Sequence, residues 1–341
     1  MRLDRLPPPG RSRSRKSWSG PARWLAIASL ALLLGACSKP EEIIIAAAAA
    51  EPVTAEQIDA DPWALLPGGG YGFGYLDARA LAASPLGPKL LSLFSRQGWL
   101  PDANAISVNE IETVFVGLYT MQGADMVGVA RGNFDASRVD AAIAAAGGAG
   151  KLKRIEYARR ALYHGRGAGF SVLTSRTLLF GSEAGVRRGL DRIAEARMRP
   201  HVPGWLEPML SNPDAPMVGG VDLRAHPVPD AVRREAAFVD GLHTARLVGN
   251  FKAPGVNVAA TLSYEDGAAA GRGASNLNQL KDLVRSYGWL MALVGIDQPL
   301  RRLQAEASET DVKFVAELDA EAMGRLLDRA DELLPKLGGA R

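Results

Sequence analysis

Cys37 is the only cysteine in 341 residues, and the histidines are four: His164, His201, His226 and His243. So few thiols exclude a disulfide framework and a cysteine-built metal site. The histidines are too far apart for a local ligand pair, and no His-Glu-x-x-His occurs. No metal or cofactor site follows from spacing. Gly-x-Ser-x-Gly is missing too: Gly181-Ser182-Glu183-Ala184-Gly185 has its serine one place early. It reads better as a strand end with Ser182 capping a helix and Glu183 in the first turn. The glycine-rich stretches 68–74 and 165–169 lack the Gly-Lys-Ser/Thr of a phosphate loop, and each precedes or enters a strand instead of opening a helix. No catalytic residue is assigned. The chain also has no uncharged run of about 20 residues, the length a spanning helix needs.

What is present begins at the N-terminus. Residues 1–24 hold Arg2, Arg5, Arg11, Arg13, Arg15, Lys16 and Arg23 against Asp4, and an apolar run follows from Leu25 to Gly35. A basic segment, a short apolar segment and a small-residue exit make the layout of an export signal over residues 1–36. The exit, Leu34-Gly35-Ala36-Cys37, resembles the lipobox of bacterial lipoproteins. The resemblance implies cleavage between Ala36 and Cys37, a diacylglycerol on the Cys37 thiol and acylation of the new amino group. It implies a membrane as partner, through lipids on Cys37. In that family an aspartate after the cysteine favours the inner membrane, so Ser38 points to the outer one. A buried helix with Cys37 as a core thiol is the competing reading, and the basic flank argues against it.

Removal of the signal changes the charge. The full chain is +3, and residues 1–36 carry seven basic and one acidic residue, so the remainder is −3. The basic balance belongs to the signal, and the body has no footprint for nucleic acid. Residues 37–62 read as a lipidated N-terminus and tether, with the low-complexity run Ile43–Ala50 inside it and structure beginning near Trp63.

The body is 47% hydrophobic by the chain average, enough for a core without crosslinks. It divides into a half at 63–196, a proline-rich connector at 197–215 and a half at 216–341. Both halves open on an extended run ending in Asp-x-Arg-Ala, at Asp77-Ala-Arg79-Ala80 and Asp222-Leu-Arg224-Ala225. Each then reads helix, hairpin, helix, hairpin, helix. The hairpins are 113–119 with 126–130, 170–174 with 177–180, 245–251 with 256–262, and 303–307 with 312–318. Helices are expected from Ser84 to Gly98, after Asp135, after Ser182, from Asp230 to Gly241, over 268–293 and after Asp319. The fold class is α+β: two similar halves, mostly antiparallel sheet, with amphipathic helices on one face. This layout resembles that of exported bacterial lipoproteins with tandem α+β repeats.

Three features invite functional readings. Tyr71, Phe73 and Tyr75 would share a strand face, as a packing surface or as an aromatic strip for a ligand. Asp77/Arg79 and Asp222/Arg224 read as local ion pairs at strand ends, or as a carboxylate pair assembled across the halves. The apolar run Trp289–Val294 reads as helix core. The expected function is a membrane-anchored envelope lipoprotein with a non-catalytic binding or scaffolding body and an envelope protein as partner. A carrier or sensor of an apolar ligand, marked by a large cavity, is one alternative. An enzyme with a site assembled from distant residues, marked by acids and histidines in one cleft, is the other.

Overall fold

Antiparallel pairing organises every strand of the computed structural model, which describes residues 52–90, 106–120, 125–145, 152–165, 167–212, 214–286 and 300–325. The strands are β1 (Gly72–Asp77), β2 (Ile111–Thr120), β3 (Asp125–Gly132), β4 (Lys153–Tyr157), β5 (Arg160–Gly165), β6 (Ala168–Val172) and β7 (Thr177–Ser182). They continue with β8 (Met217–Asp222), β9 (Leu242–Asn250), β10 (Gly255–Tyr264), β11 (Leu300–Ser308) and β12 (Asp311–Asp319). All join one sheet in the order β11-β12-β10-β9-β8-β1-β2-β3-β7-β6-β5-β4. The halves meet at β1–β8, where Gly74 lies opposite Gly219. Outward from this seam the order is β2-β3-β7-β6 on one side and β9-β10-β12-β11 on the other. Among the described residues only the first half goes on, with β5 and β4.

The helices include α1 (Ala55–Ala60), α2 (Ala78–Ala83), α3 (Ala136–Ala145), α4 (Glu183–Ala194), α5 (Glu207–Leu210), α6 (Asp230–Glu235) and α7 (Gly267–Ser286), and residues 320–325 after Asp319 are helical too. Several caps match expectation. Asp135 Oδ1 accepts from the Ser137 and Arg138 amides, Ser182 Oγ from Gly185 N, and Asp319 Oδ1 from Ala322 N. Ser84 Oγ accepts from Gly87 N at 3.1 Å, but Leu93, Phe94 and Gly98 of that expected helix lie outside the described residues, as do Ala36, Cys37 and Trp289–Val294. The helix expected over 230–241 stops at Glu235. Its Val232 faces water, and residues 237–239 form a separate 3-10 turn.

Strand residues alternate between faces, and the two faces differ between the halves. On one, Ala130, Phe170, Leu178 and Phe180 pack against Val139 of α3, and in the second half Leu262, Ala305 and Val312 pack against Ala270 and Leu277 of α7. On the opposite face, Phe73, Phe115, Val127, Val129, Leu179 and Val218 pack under Val186, Leu190 and Ile193 of α4. Among the described residues helices therefore cover both faces of the first half and one face of the second, where one face throughout was expected. The reason lies in the strands. Met126–Ala130 and Thr177–Phe180 are continuously apolar or small, as two-sided burial requires, whereas β11 and β12 alternate. Each buried α4 side chain contributes roughly 1.5–3 kcal/mol.

The body also begins earlier than Trp63. Thr54 and Gln57 form a reciprocal capping box, and α1 lays Ile58, 1% exposed, into the core beside Leu65 and Leu66. Asp59 Oδ1 accepts from Thr174 Oγ1 and Thr177 Oγ1, both at 2.6 Å, tying α1 to the β6–β7 turn. Bonds to a charged acceptor contribute about 1.5–3 kcal/mol each. Asp59→Ala is expected to lower unfolding free energy by about 3 kcal/mol in urea, with faster hydrogen exchange over 54–66. Asp59→Asn, which keeps one acceptor oxygen, should lose about half as much. The connector is equally part of the body: Leu206 and Ala215 are buried in the same core.

Candidate binding surface

In the second half β8 and Val248 of β9 still join the α4-side core, and beyond them the same side of β10, β12 and β11 is left open among the described residues. Three rows cross it from β9 through β10 and β12 to β11. The middle row is Val248, Ala259, Val315 and Gln304. It is flanked by Arg246, Thr261, Lys313 and Glu306 on one side and by Asn250, Asn257, Glu317 and Arg302 on the other. Val315 is 38% exposed, one of the two exposed large hydrophobics among the described residues. Much of the polarity is internally paired: Asn257 Nδ2 donates to Asn250 Oδ1 at 2.9 Å, and Arg302 Nη1 lies 3.4 Å from Glu317 Oε1. Charged and polar side chains around Val248, Ala259 and Val315 make a polar surface with a small apolar centre. A partner would bind there by shape and hydrogen bonding, since little apolar area is available.

The residues singled out in sequence fall elsewhere. Asp77 caps α2 through Ala80 N at 2.9 Å, and Arg79 pairs with Glu112. Asp222 pairs with Arg224, which holds its carboxyl below the usual carboxylate range. Asp77 and Asp222 end antiparallel neighbours, so they sit at opposite ends of the seam, about 20 Å apart. No carboxylate pair forms across the halves. Phe73 and Tyr75 join Trp63 and Phe115 in the core, whereas Tyr71 leaves the row and lies beside His226, the ring centroids 5.4 Å apart and the planes tilted by 41°. The three aromatics therefore make no strip. His164 Nδ1 lies 3.0 Å from Glu183 Oε2, and the His201 ring packs beside Gly68. Among the described residues no group of three His, Cys, Asp or Glu could hold a metal ion, and no helix is long and apolar enough to cross a membrane.

Buried phenols show where the first half is driest. Tyr119 donates to Pro67 O at 2.7 Å, and burial holds its pKa well above the ordinary value despite Arg188 over the ring at 5.0 Å. Burial and a bond to Asp140 push Tyr163 up to about 12. Both phenols stay protonated through the physiological range and serve as donors to the packing.

The sequence reading missed two elements. Helix α1 carried a signal that could have found it, the capping box Thr54-Ala55-Glu56-Gln57. The β4–β5 hairpin did not: its two-residue turn is Ala158-Arg159, with φ of 49° and 61°. Asn-Gly or Asp-Gly is the usual signal for that backbone, and neither is there.

Fold and surface together define an α+β protein carried by one antiparallel sheet, with one half covered on both faces and, among the described residues, the outer strands of the other open on one. No family model matches the chain, and no curated protein matches it. Among solved structures, crystal forms I and III of TP0453 align with a TM-score of 0.49, at 10% and 12% identity, over 78% of this chain and 96% of that chain. Crystal form IV gives 0.47 at 10% identity with the same coverage. At these identities the likeness says nothing about activity or partners.

Proposed function

We propose that this chain is an exported envelope lipoprotein, anchored through lipid on Cys37, whose body is a non-catalytic binding or scaffolding module. The observation that carries the role of the body is the contrast across one sheet face. Over the first half it is packed under α4; over the outer strands of the second, Arg246, Ala259, Lys313 and Val315 are exposed among the described residues. The anchor rests on Leu34-Gly35-Ala36-Cys37 and the segment before it. Ser38 favours the outer membrane. The similar strand order of the halves, with Gly74 opposite Gly219, supports an origin by duplication. Between Cys37 and Thr54 lie seventeen residue steps, a reach of at most ~60 Å from membrane to body.

Cells fed an alkyne-bearing fatty acid should label the wild-type chain and leave Cys37→Ala unlabelled. Equal labelling of both would overturn the anchor. For the body, a photocrosslinking residue at position 259 should give discrete protein adducts in intact envelopes. Adducts from position 259 no different from those at exposed Val232 would remove the open face as the working surface.

A further inference from the structure

The sheet ends at β4 on one side and β11 on the other. At β11 the outer rim is engaged, since Asn278 Nδ2 of α7 donates to Ala305 O at 3.0 Å. Among the described residues nothing pairs with the outer rim of β4. Counting from the two-residue turn, Tyr157–Arg160, Ile155–Leu162 and Lys153–His164 are the pairs that exchange backbone bonds with β5. The N–H and C=O groups of Arg154 and Glu156 therefore point away from the sheet. Such a rim templates another strand unless it is blunted, and charged side chains are the usual device.

Here the charges select a partner instead of excluding one. We propose that β4 pairs antiparallel with β4 of a second copy of this chain, about a two-fold axis at Ile155. In that register Arg154 faces Glu156 of the second copy, and Glu156 faces its Arg154. The two oppositely charged pairs fall at the positions whose backbone groups point outward, so they form the hydrogen-bonded pairs. Ile155 meets Ile155 as the close, non-bonded pair. Lys153 falls opposite Tyr157. Moving the axis by one residue would set Arg154 against Arg154 or Glu156 against Glu156. Arg154 is held ready by Asp140, with Nε 2.9 Å from Oδ1, and Glu156 is exposed. The charge order Arg-Ile-Glu is thus self-complementary only in the register that the backbone also permits. A rim of five residues is smaller than a standard interface, so the association is weak, to be sought at ~10–200 µM.

The test uses the full chain in detergent with Cys37→Ser, which removes its only other thiol and makes the result independent of lipidation. Ile155→Cys should form a disulfide-linked dimer on mild oxidation, because facing residues of a non-bonded pair lie within disulfide range. Lys153→Cys, more exposed, should crosslink at least ~10-fold more slowly, since its copies would lie about 13 Å apart. Adding Glu156→Arg to Ile155→Cys should slow crosslinking by ~10-fold, and adding Arg154→Glu as well should restore it. Equal rates at 153 and 155, a monomer by sedimentation at 200 µM, or crosslinking of position 155 to a different protein would each overturn the proposal.

Discussion

Val129→Arg is expected to abolish the cooperative unfolding transition, while Ala259→Arg, on the same face of the same sheet, leaves it within ~0.5 kcal/mol of wild type. Val129 is 0% exposed and lies under α4 among Phe115, Leu179 and Val186. A guanidinium there has no carboxylate to meet, and burying an unpaired charge removes several kcal/mol. Against a total stability of about 5–15 kcal/mol, that loss with the overpacking it brings leaves little folded protein. Ala259 is exposed beside Val315, and an arginine can lie along the sheet with its head in water. Urea titrations followed by circular dichroism measure both. A loss above ~2 kcal/mol for Ala259→Arg would show that something packs over the second half, and would sink the open-face reading with it.

Gly181→Ala is the second large effect, about 3 kcal/mol of lost stability. Gly181 has φ of 141°, a backbone that side-chain-bearing residues rarely adopt, and its Cβ would sit 2.3 Å from Met126 O of β3. Conformational strain contributes roughly 1–3 kcal/mol, and forcing β3 away a similar amount. The narrower unfolded ensemble returns only ~0.4–1 kcal/mol. Gly185 is the informative comparison. Its Cβ would also press on Met126 O, at 2.5 Å, but alanine gains ~1 kcal/mol of helix propensity there. The loss for Gly185→Ala should therefore be smaller, on the order of 1–2 kcal/mol. Equal losses at the two sites would mean that the crowded backbone, not the φ of Gly181, sets the scale. The stretch that resembles a nucleophile turn is thus explained by close packing: its glycines let α4 settle on the Met126 carbonyl, and Ser182 caps the helix and donates to Asp125 Oδ1.

Much of the sheet was readable because some of its hairpins combine β-branched runs with glycine or proline turns. Thr113–Tyr119 with Met126–Ala130, separated by a stretch holding Gly123, fall inside the observed strands; Val312–Leu318 with 303–307 do so as well, read from their alternation without a glycine or proline at Glu309-Thr310. The β4–β5 hairpin stayed hidden because Ala158 and Arg159 turn it without a turn signal. The cover on the second face was written in the continuous apolar runs of β3 and β7, which differ from the alternation of β12. The short reach of the helix at Asp230 was not readable, since an exposed Val232 looks like any apolar position on a periodic face. The candidate surface was the least legible part. Its Thr, Asn, Lys and Glu side chains look like any solvated strand face, and only the pairing of four strands shows that they lie in one plane.

The embedding of α1 also decides how a mechanical load would pass through the molecule. A pull on the chain ahead of Thr54 acts first on the Asp59 bonds and on Ile58, both in the first half. The second half joins the first side by side through β8, beyond β1, and through the buried connector. Tension at the N-terminal end is therefore borne by one half, and the half with the open sheet face is left slack.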